Sequence, residues 1–277
     1  MTNNKLGELP LSTKLMIYIP AFNCAEYIVD VIDEIPRTIW NISDIVVVDN
    51  CSTDDTVKNI QKARLEQRWP KKIHLIQPEA NLGYAGSQKL IYSILLQASS
   101  TEHVIMLHGD GQYPPELLEK LTPYLDSDYG LIYGFRDKST FSETEETPLV
   151  TYLIIKTLSA LESLVTRYRR KEWHTGFVMY SKKFLRKINF DEVTDTYHID
   201  GHLQFISGEL GVKIKAVPIW KRYKGYEQLK GLNRFTYIAH VLRLMLQFRI
   251  KGFSKSTKAC KYPYRPFSII EDDIERV

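Results

Sequence analysis

The chain has 277 residues, a net charge of +4 and 25% charged residues, so no global charge argument points to nucleic acid. Its 44% hydrophobic content is ordinary for a soluble globular protein and sufficient for one α/β domain with an appendage. The cysteines Cys24, Cys51 and Cys260 are odd in number and far apart. They make no disulfide framework or zinc ligand set, and they suit a reducing compartment.

The opening segment MTNNKLGELPLSTK lacks the apolar centre of a secretory signal. No run approaches the roughly 20 consecutive apolar residues that would span a bilayer. The expectation is a cytoplasmic protein, or one that touches the membrane from the side.

Leu15–Pro20 (LMIYIP) reads as a buried strand, and Glu26–Ile35 as an amphipathic helix. Asp44–Asp49 (DIVVVD) is a β-branched run ending on a carboxylate, after which Asp54 or Asp55 can cap a helix towards Trp69. Lys72–Gln77 is a third strand, Ala85–Ala98 a helix, and His103–His108 (HVIMLH) a fourth strand. Pro114 and Pro115 open another helix, because proline is tolerated in a first turn. Leu131–Tyr133 is a fifth strand, followed by a polar, acidic loop over Lys138–Thr147. Pro148–Tyr168 reads as a long helix, Arg167–Lys171 as a basic run, and Phe177–Tyr180 and Lys213–Ile219 as closing strands. The tail Phe253–Val277 shows no periodicity, and poor order is expected there.

Strands separated by helical patterns imply α/β architecture, with a mostly parallel sheet carrying helices on both faces. In such sheets ligands sit at the carboxyl ends of the strands. The chemistry therefore belongs at Pro20–Asn23, Asp49–Asp54 and His108–Gln112. Asp49 can accept from a nucleobase N–H or a ribose hydroxyl, or, with Ser52, cap the following helix. In His108-Gly109-Asp110-Gly111-Gln112, Asp110 and the Gln112 carbonyl lie two residues apart on a Gly-flanked turn. That suits a hard divalent cation held by one or two carboxylates plus substrate phosphates. The glycines allow a diphosphate to approach the backbone.

The segments IPAFN (Ile19–Asn23), VVDNCSTDDT (Val47–Thr56), NLGYAGSQK (Asn81–Lys89), HGDGQYPPE (His108–Glu116) and HTGFVMY (His174–Tyr180) occur in this order. Together they resemble glycosyltransferase family 2, and within it the polyprenyl- or dolichyl-phosphate sugar synthases. The resemblance runs from about Lys14 to about Gly231. It implies a Rossmann-like GT-A fold, a nucleotide-diphospho-sugar donor, a Mg²⁺ or Mn²⁺ cofactor and inversion at the anomeric carbon. By position, Pro20, Ala21 and Asn23 would line the nucleoside and Asp49 would contact base or ribose. Asp110 and Gln112 would hold the metal that bridges the donor phosphates. On this basis residues 1–13 form an N-terminal extension, 14–235 the GT-A domain, and 236–277 a C-terminal helix and tail.

Three departures stand out. His108 replaces an acid usual in the family, and imidazole suits Mn²⁺ better than Mg²⁺, so His108 ligates the metal, contacts a phosphate, or does neither. Asn50 stands where a second acid is typical. Asp200-Gly201-His202 occupies the place of an acidic family segment, which makes Asp200 a candidate catalytic acid or base. His198, Asp200 and His202 also invite a metal-site reading.

The acceptor is the open question. A phosphate monoester is mostly dianionic at neutral pH and needs cations rather than a base; a hydroxyl needs a carboxylate such as Asp200. Arg167, Arg169, Arg170 and Lys171 supply one cationic cluster, and Lys221, Arg222, Lys224 and Lys230 another. Arg169, Arg170 and Arg222 are the candidates for an acceptor phosphate. Apolar residues recur at Val150, Leu153, Ile154, Leu158, Leu161, Leu164 and Val165, with Lys156, Glu162 and Thr166 on other faces. That stripe either packs on the core or lies at a membrane interface. The leading expectation is transfer from a GDP-mannose- or UDP-glucose-type donor to a polyprenyl phosphate, with peripheral membrane contact. The alternatives are transfer to a saccharide hydroxyl in cell-surface polysaccharide assembly and a non-catalytic nucleotide-sugar-binding module.

Overall fold

The apolar runs read from the sequence become neighbouring strands, and the chain pivots around them. The computed structural model describes residues 9–70, 73–138, 146–223, 234–252 and 266–271. In chain order the elements are β1 (Leu15–Ala21), α1 (Ile28–Asp33), α2 (Arg37–Ile42), β2 (Ser43–Asp49), α3 (Thr56–Leu65), β3 (His74–Pro78), α4 (Gly83–Gln97) and β4 (His103–Met106). There follow β5 (Leu131–Arg136), α5 (Leu149–Thr166), β6 (Val178–Ser181), α6 (Lys182–Leu185), α7 (Ile199–Glu209), β7 (Ile214–Ile219), α8 (Arg234–Lys251) and β8 (Phe267–Ile269).

All the described strands join one sheet in the order β7-β5-β6-β4-β1-β2-β3-β8. β1 pairs in parallel with β2 and β4, and β2 with β3. β6 runs antiparallel to both β4 and β5, which restores β5 and its parallel partner β7 to the direction of β4. One edge of the sheet thus gathers the carboxyl ends of β1 to β5 and β7 together with the start of β6.

Alternation along the strands builds two cores. Leu15, Ile17, Ile19, Ile45 and Val47 point to one face, with Ile28, Ile32 and Ile60 of α1 and α3. Met16, Tyr18, Val46, Val48, Val104 and Met106 point to the other, with Leu90, Leu95 and Leu203 of α4 and α7. Each such side chain contributes about 1.5–3 kcal/mol on leaving water. A third cluster, Trp173, Phe205, Val241, Leu244 and Met245, docks α8 against α7.

Several sequence expectations need correction. The helix expected over Glu26–Ile35 is confined to Ile28–Asp33, and Pro36 then caps the separate helix α2, because a proline disfavours helical backbone at the preceding residue. After Pro114 the chain makes two 3₁₀ turns, Pro115–Lys120 and Thr122–Tyr124, rather than an α-helix; Pro123 removes the donor that an α-helix would need there. The tail is not uniformly irregular: Phe267–Ile269 pairs antiparallel with Ile76–Pro78, a segment too short to show periodicity.

The orientation of α5, left open by its sequence, is now visible. Val150, Leu153, Leu161 and Leu164 of its apolar stripe are exposed, Leu164 at 76%, whereas its buried positions are Leu158, Ser159, Glu162 and Thr166. The helix therefore turns a mainly polar face inward and its apolar face outward. It is also long and apolar enough to cross a membrane, though only 22% buried.

Candidate functional site

β1 and β2 end in register, Ala21 opposite Asp49, and the loops beyond them are tied together. The Asn50 N–H donates to the Ala21 carbonyl at 2.8 Å. The Asn23 N–H donates to Ser52 Oγ at 2.9 Å, and Asn23 Oδ1 accepts from the Thr53 N–H at 2.8 Å. Asn23 lies in the left-handed region (φ 49°), which asparagine tolerates better than most residues. Ala21 is buried and Pro20 half-buried beside these loops. The side chain of Asn50, which stands where a second acid is typical, donates to Asn81 Oδ1 and accepts from the Leu82 N–H, both at 2.8 Å.

Asp49 is fully buried. Its Oδ2 accepts from Gln77 Nε2 at 2.6 Å and from the Ser52 N–H at 3.1 Å, while Oδ1 has no partner. Helix capping therefore occupies only part of this carboxylate. An orphaned buried acceptor costs about 1–3 kcal/mol, and a nucleobase N–H or ribose hydroxyl would satisfy it.

Beyond β4 the chain passes the end of β1 so closely that a Cβ on Gly109 would lie 2.8 Å from the Pro20 carbonyl oxygen. That approach sets Asp110, half-buried, on the carboxyl edge. Its Oδ1 accepts from the Gln112 N–H at 3.1 Å, which pins the carboxylate and leaves Oδ2 outside that bond. The Gln112 carbonyl already accepts from the Arg222 N–H at 2.9 Å. His108 Nε2 is buried without a partner, and burial lowers the ring's pKa to about 4. At neutral pH the imidazole thus keeps a lone pair. Gly176 makes room for it: a Cβ there would meet His108 Nε2 at 2.6 Å and Tyr84 Oη at 2.9 Å.

Tyr84 connects this turn to Asp200, in the first turn of α7. Asp200 is buried, with Oδ1 accepting from Tyr180 Oη at 2.9 Å and Oδ2 from Tyr84 Oη at 3.2 Å and Gln88 Nε2 at 3.3 Å. Burial pushes its pKa up to about 6, against the pull of those three donors. The grouping of His198, Asp200 and His202 is broken. His202 Nδ1 accepts from the Thr194 N–H at 3.1 Å, and His198 bonds elsewhere, to Glu162. Tyr84 and Gln88 lie within the segment Asn81–Lys89 and Tyr180 ends the segment His174–Tyr180, both singled out from the sequence without a role for these three side chains.

The cations divide by environment. Lys221, at the end of β7, is buried with Nζ 4.2 Å over the Tyr113 ring. Burial disfavours its charge, but Tyr113, Tyr223 and Asp110 raise its pKa above the ordinary value. Arg222, a candidate for the acceptor phosphate, pairs with Glu34 at 2.7 Å and Glu116 at 3.7 Å. Arg170 bonds Ser207 Oγ at 3.5 Å and packs over Trp173, whereas Arg169 is exposed. Lys224 and Lys230 lie outside the described residues. Sequence reasoning missed Arg136, at the end of β5, whose Nε donates to Glu172 Oε1 at 2.9 Å inside the protein. Burial opposes both charges, and Arg136 nevertheless holds Glu172 below the usual carboxylate range.

A mostly parallel sheet with a half-satisfied buried acid at the end of β2 and an acidic Gly-flanked turn after β4 has a Rossmann-like fold of the GT-A class. The sequence profile named glycosyl transferase family 2 matches residues 16–193, and the chain belongs to that family of glycosyltransferases. An uncharacterized protein of Methanocaldococcus jannaschii is 25% identical over 249 residues, covering 88% of this chain and 96% of its own. A dolichol-phosphate mannosyltransferase of Pyrococcus furiosus is 25% identical over 84% of this chain, which spans 64% of that relative's length. Among solved structures, glucosyl-3-phosphoglycerate synthase from Mycobacterium tuberculosis, in complex with Mn²⁺, uridine diphosphate and phosphoglyceric acid, superposes with a TM-score of 0.60. It is 15% identical, with 86% of this chain and 78% of that one covered.

Proposed function

We propose that the protein transfers a hexose, with inversion, from a nucleotide-diphospho-sugar of the GDP-mannose or UDP-glucose type to a polyprenyl phosphate at the cytoplasmic face of a membrane. The observation that carries this acceptor is the outward apolar face of α5. Val150, Leu153, Ile154 and Leu158 line a groove with Ile238 of α8, and Leu242 and Leu246 of α8 are exposed as well. A helix that hides Glu162 and shows leucine has its apolar side available to lipid. The similarity to a dolichol-phosphate mannosyltransferase supports the same acceptor class.

Residues of the carboxyl edge divide the work. Asp49 Oδ1 accepts from the nucleoside, which Pro20, Ala21 and Asn23 border. Asp110 has one oxygen pinned by Gln112 and His108 keeps its lone pair, a donor set that fits Mg²⁺ or, with the imidazole, Mn²⁺. Asp110, with His108 and Gln112 beside it, would hold that ion, which when bound stabilises charge on the leaving diphosphate. Lys221 places a buried positive charge near Asp110 on the same edge. An acceptor phosphate oxygen attacks the anomeric carbon as the bond to the diphosphate oxygen breaks, and that electron pair leaves with the nucleoside diphosphate. The dianion carries no proton to lose. Asp200, with both oxygens engaged by protein donors, is then a positioning residue that holds Tyr84 beside His108.

A second reading takes a hydroxyl acceptor. A carboxylate whose pKa is about 6 approaches the range of an effective general base. The structurally similar synthase was crystallised with phosphoglyceric acid. The deciding experiment identifies the donor by thermal shift with Mn²⁺, then compares wild type and Asp200→Asn on polyprenyl phosphate and on phosphoglycerate. Transfer to the lipid phosphate with at most a few-fold loss in Asp200→Asn supports the main reading. A loss of about 10²–10⁴-fold, with phosphoglycerate or a saccharide as the productive acceptor, replaces it with the second.

A further inference from the structure

Behind the catalytic edge, four elements meet at one buried carboxylate. Glu162 of α5 is fully buried. Its Oε1 lies 2.9 Å from Nε2 of His198, at the start of α7, and its Oε2 lies 2.9 Å from Nε2 of His174, in the lead-in to β6. The side chains of both histidines are at most 3% exposed. On the far side of the two rings, Tyr237 Oη of α8 lies 2.7 Å from His174 Nδ1 and 3.2 Å from His198 Nδ1.

Proton counting shows that this ring of contacts does not close by itself. Each of the four contacts needs one proton if it is a hydrogen bond. Two neutral imidazoles and one phenol supply one proton each and an ionised carboxylate none, so one contact is left as lone pair against lone pair. A doubly protonated His174 would supply the missing proton, but it would aim Nε2–H at Oε2. Instead, at 2.9 Å, neither His174 Nε2 nor Glu162 Oε2 has a hydrogen-bond partner.

We infer that Glu162, His174 and His198 form a binding site for a borderline divalent transition ion, Zn²⁺ first, distinct from the donor-side site at Asp110. The ligand atoms of all three residues lie within 4.8 Å of one another. Tetrahedral zinc with bonds of about 2.0–2.2 Å separates its ligands by roughly 3.4 Å, so the 2.9 Å contacts open by roughly half an ångström and any wider pair, within 4.8 Å, draws in to seat the ion. Two imidazoles and a carboxylate match zinc ligand chemistry. With both Nε2 atoms on the metal, both Nδ1–H groups donate to Tyr237 Oη, the outer-shell pattern that fixes a ligating histidine's tautomer. The ion clamps α5, the lead-in to β6, α7 and α8 together. Asp200 follows His198 by two residues, so the clamp also fixes the start of the helix that positions Tyr84.

The test uses tag-free full-length protein, since an oligohistidine tag would bind the same ions. Wild type should carry about one zinc per chain by elemental analysis. After chelation and dialysis, added Zn²⁺ should raise its melting temperature by linkage. Cobalt substitution should give the visible bands of a four-coordinate ion. Asp110→Asn should keep those bands, Glu162→Gln should lose them, and Tyr237→Phe should bind zinc about 10- to 100-fold more weakly. Substoichiometric zinc in wild type with no melting shift on adding Zn²⁺ overturns the assignment, as do cobalt bands that vanish in Asp110→Asn but persist in Glu162→Gln. Should Glu162→Gln fail to fold, wild type and Tyr237→Phe still decide the matter.

Discussion

Asp49 and Asp110 were legible as strand-end acids because a buried apolar run that stops on a carboxylate has few other uses for it. Their neighbours were not. Tyr84, Gln88 and Tyr180 acquire their role only where α4, β6 and α7 converge on Asp200, and nothing in their spacing announces that meeting. Asp110→Asn keeps the oxygen that accepts from Gln112, so its thermal melt should match wild type while transfer falls at least about 100-fold, the scale of a lost electrostatic contact in a site. Asp49→Asn should weaken donor binding by about 10- to 100-fold, the value of a hydrogen bond to a charged group, as calorimetric titration would read. His108→Asp restores an oxygen ligand and should remain active, whereas His108→Ala should shift the preference between Mn²⁺ and Mg²⁺ in transfer assays.

At the level of elements, strand positions were readable from apolar runs, but strand direction was not. Val178–Ser181 looks like the other strands and yet runs antiparallel to both of its neighbours. The stripe on α5 was seen, but its orientation was not. Periodicity shows that a helix has two faces; which one turns inward depends on the buried histidines that receive Glu162. Because Leu153 and Leu164 are exposed, Leu153→Lys and Leu164→Glu should fold normally. They should lose co-sedimentation with liposomes and transfer to long-chain acceptors while retaining donor hydrolysis. Unfolded variants, together with wild type that ignores liposomes, would return the stripe to the core and remove the lipid acceptor.

Across the whole molecule, the carboxyl edge was foreseeable from the alternation of strands and helices, whereas the charge buried within it was not. Arg136 and Glu172 are 36 residues apart in the chain, and no spacing pattern in the sequence links them. Arg136→Met strands the Glu172 carboxylate and should destabilise the protein by about 3–5 kcal/mol in urea melts, while Arg136→Met combined with Glu172→Met should recover most of that loss.

The pairing of β8 with β3 also dictates an order of assembly. β1 to β4 are joined by helical crossovers and can collapse as they emerge during synthesis, but the free side of β3 must wait for residues 191 positions further along. Until then Gln77, the residue that steadies Asp49, belongs to an open strand edge able to recruit the wrong partner. The edge around Asp49, where we propose the nucleoside binds, therefore matures last, although Asp49 and Gln77 are made early. Synthesis stalled before Phe267 should yield a collapsed intermediate that is prone to aggregate and does not yet retain nucleotide-sugar.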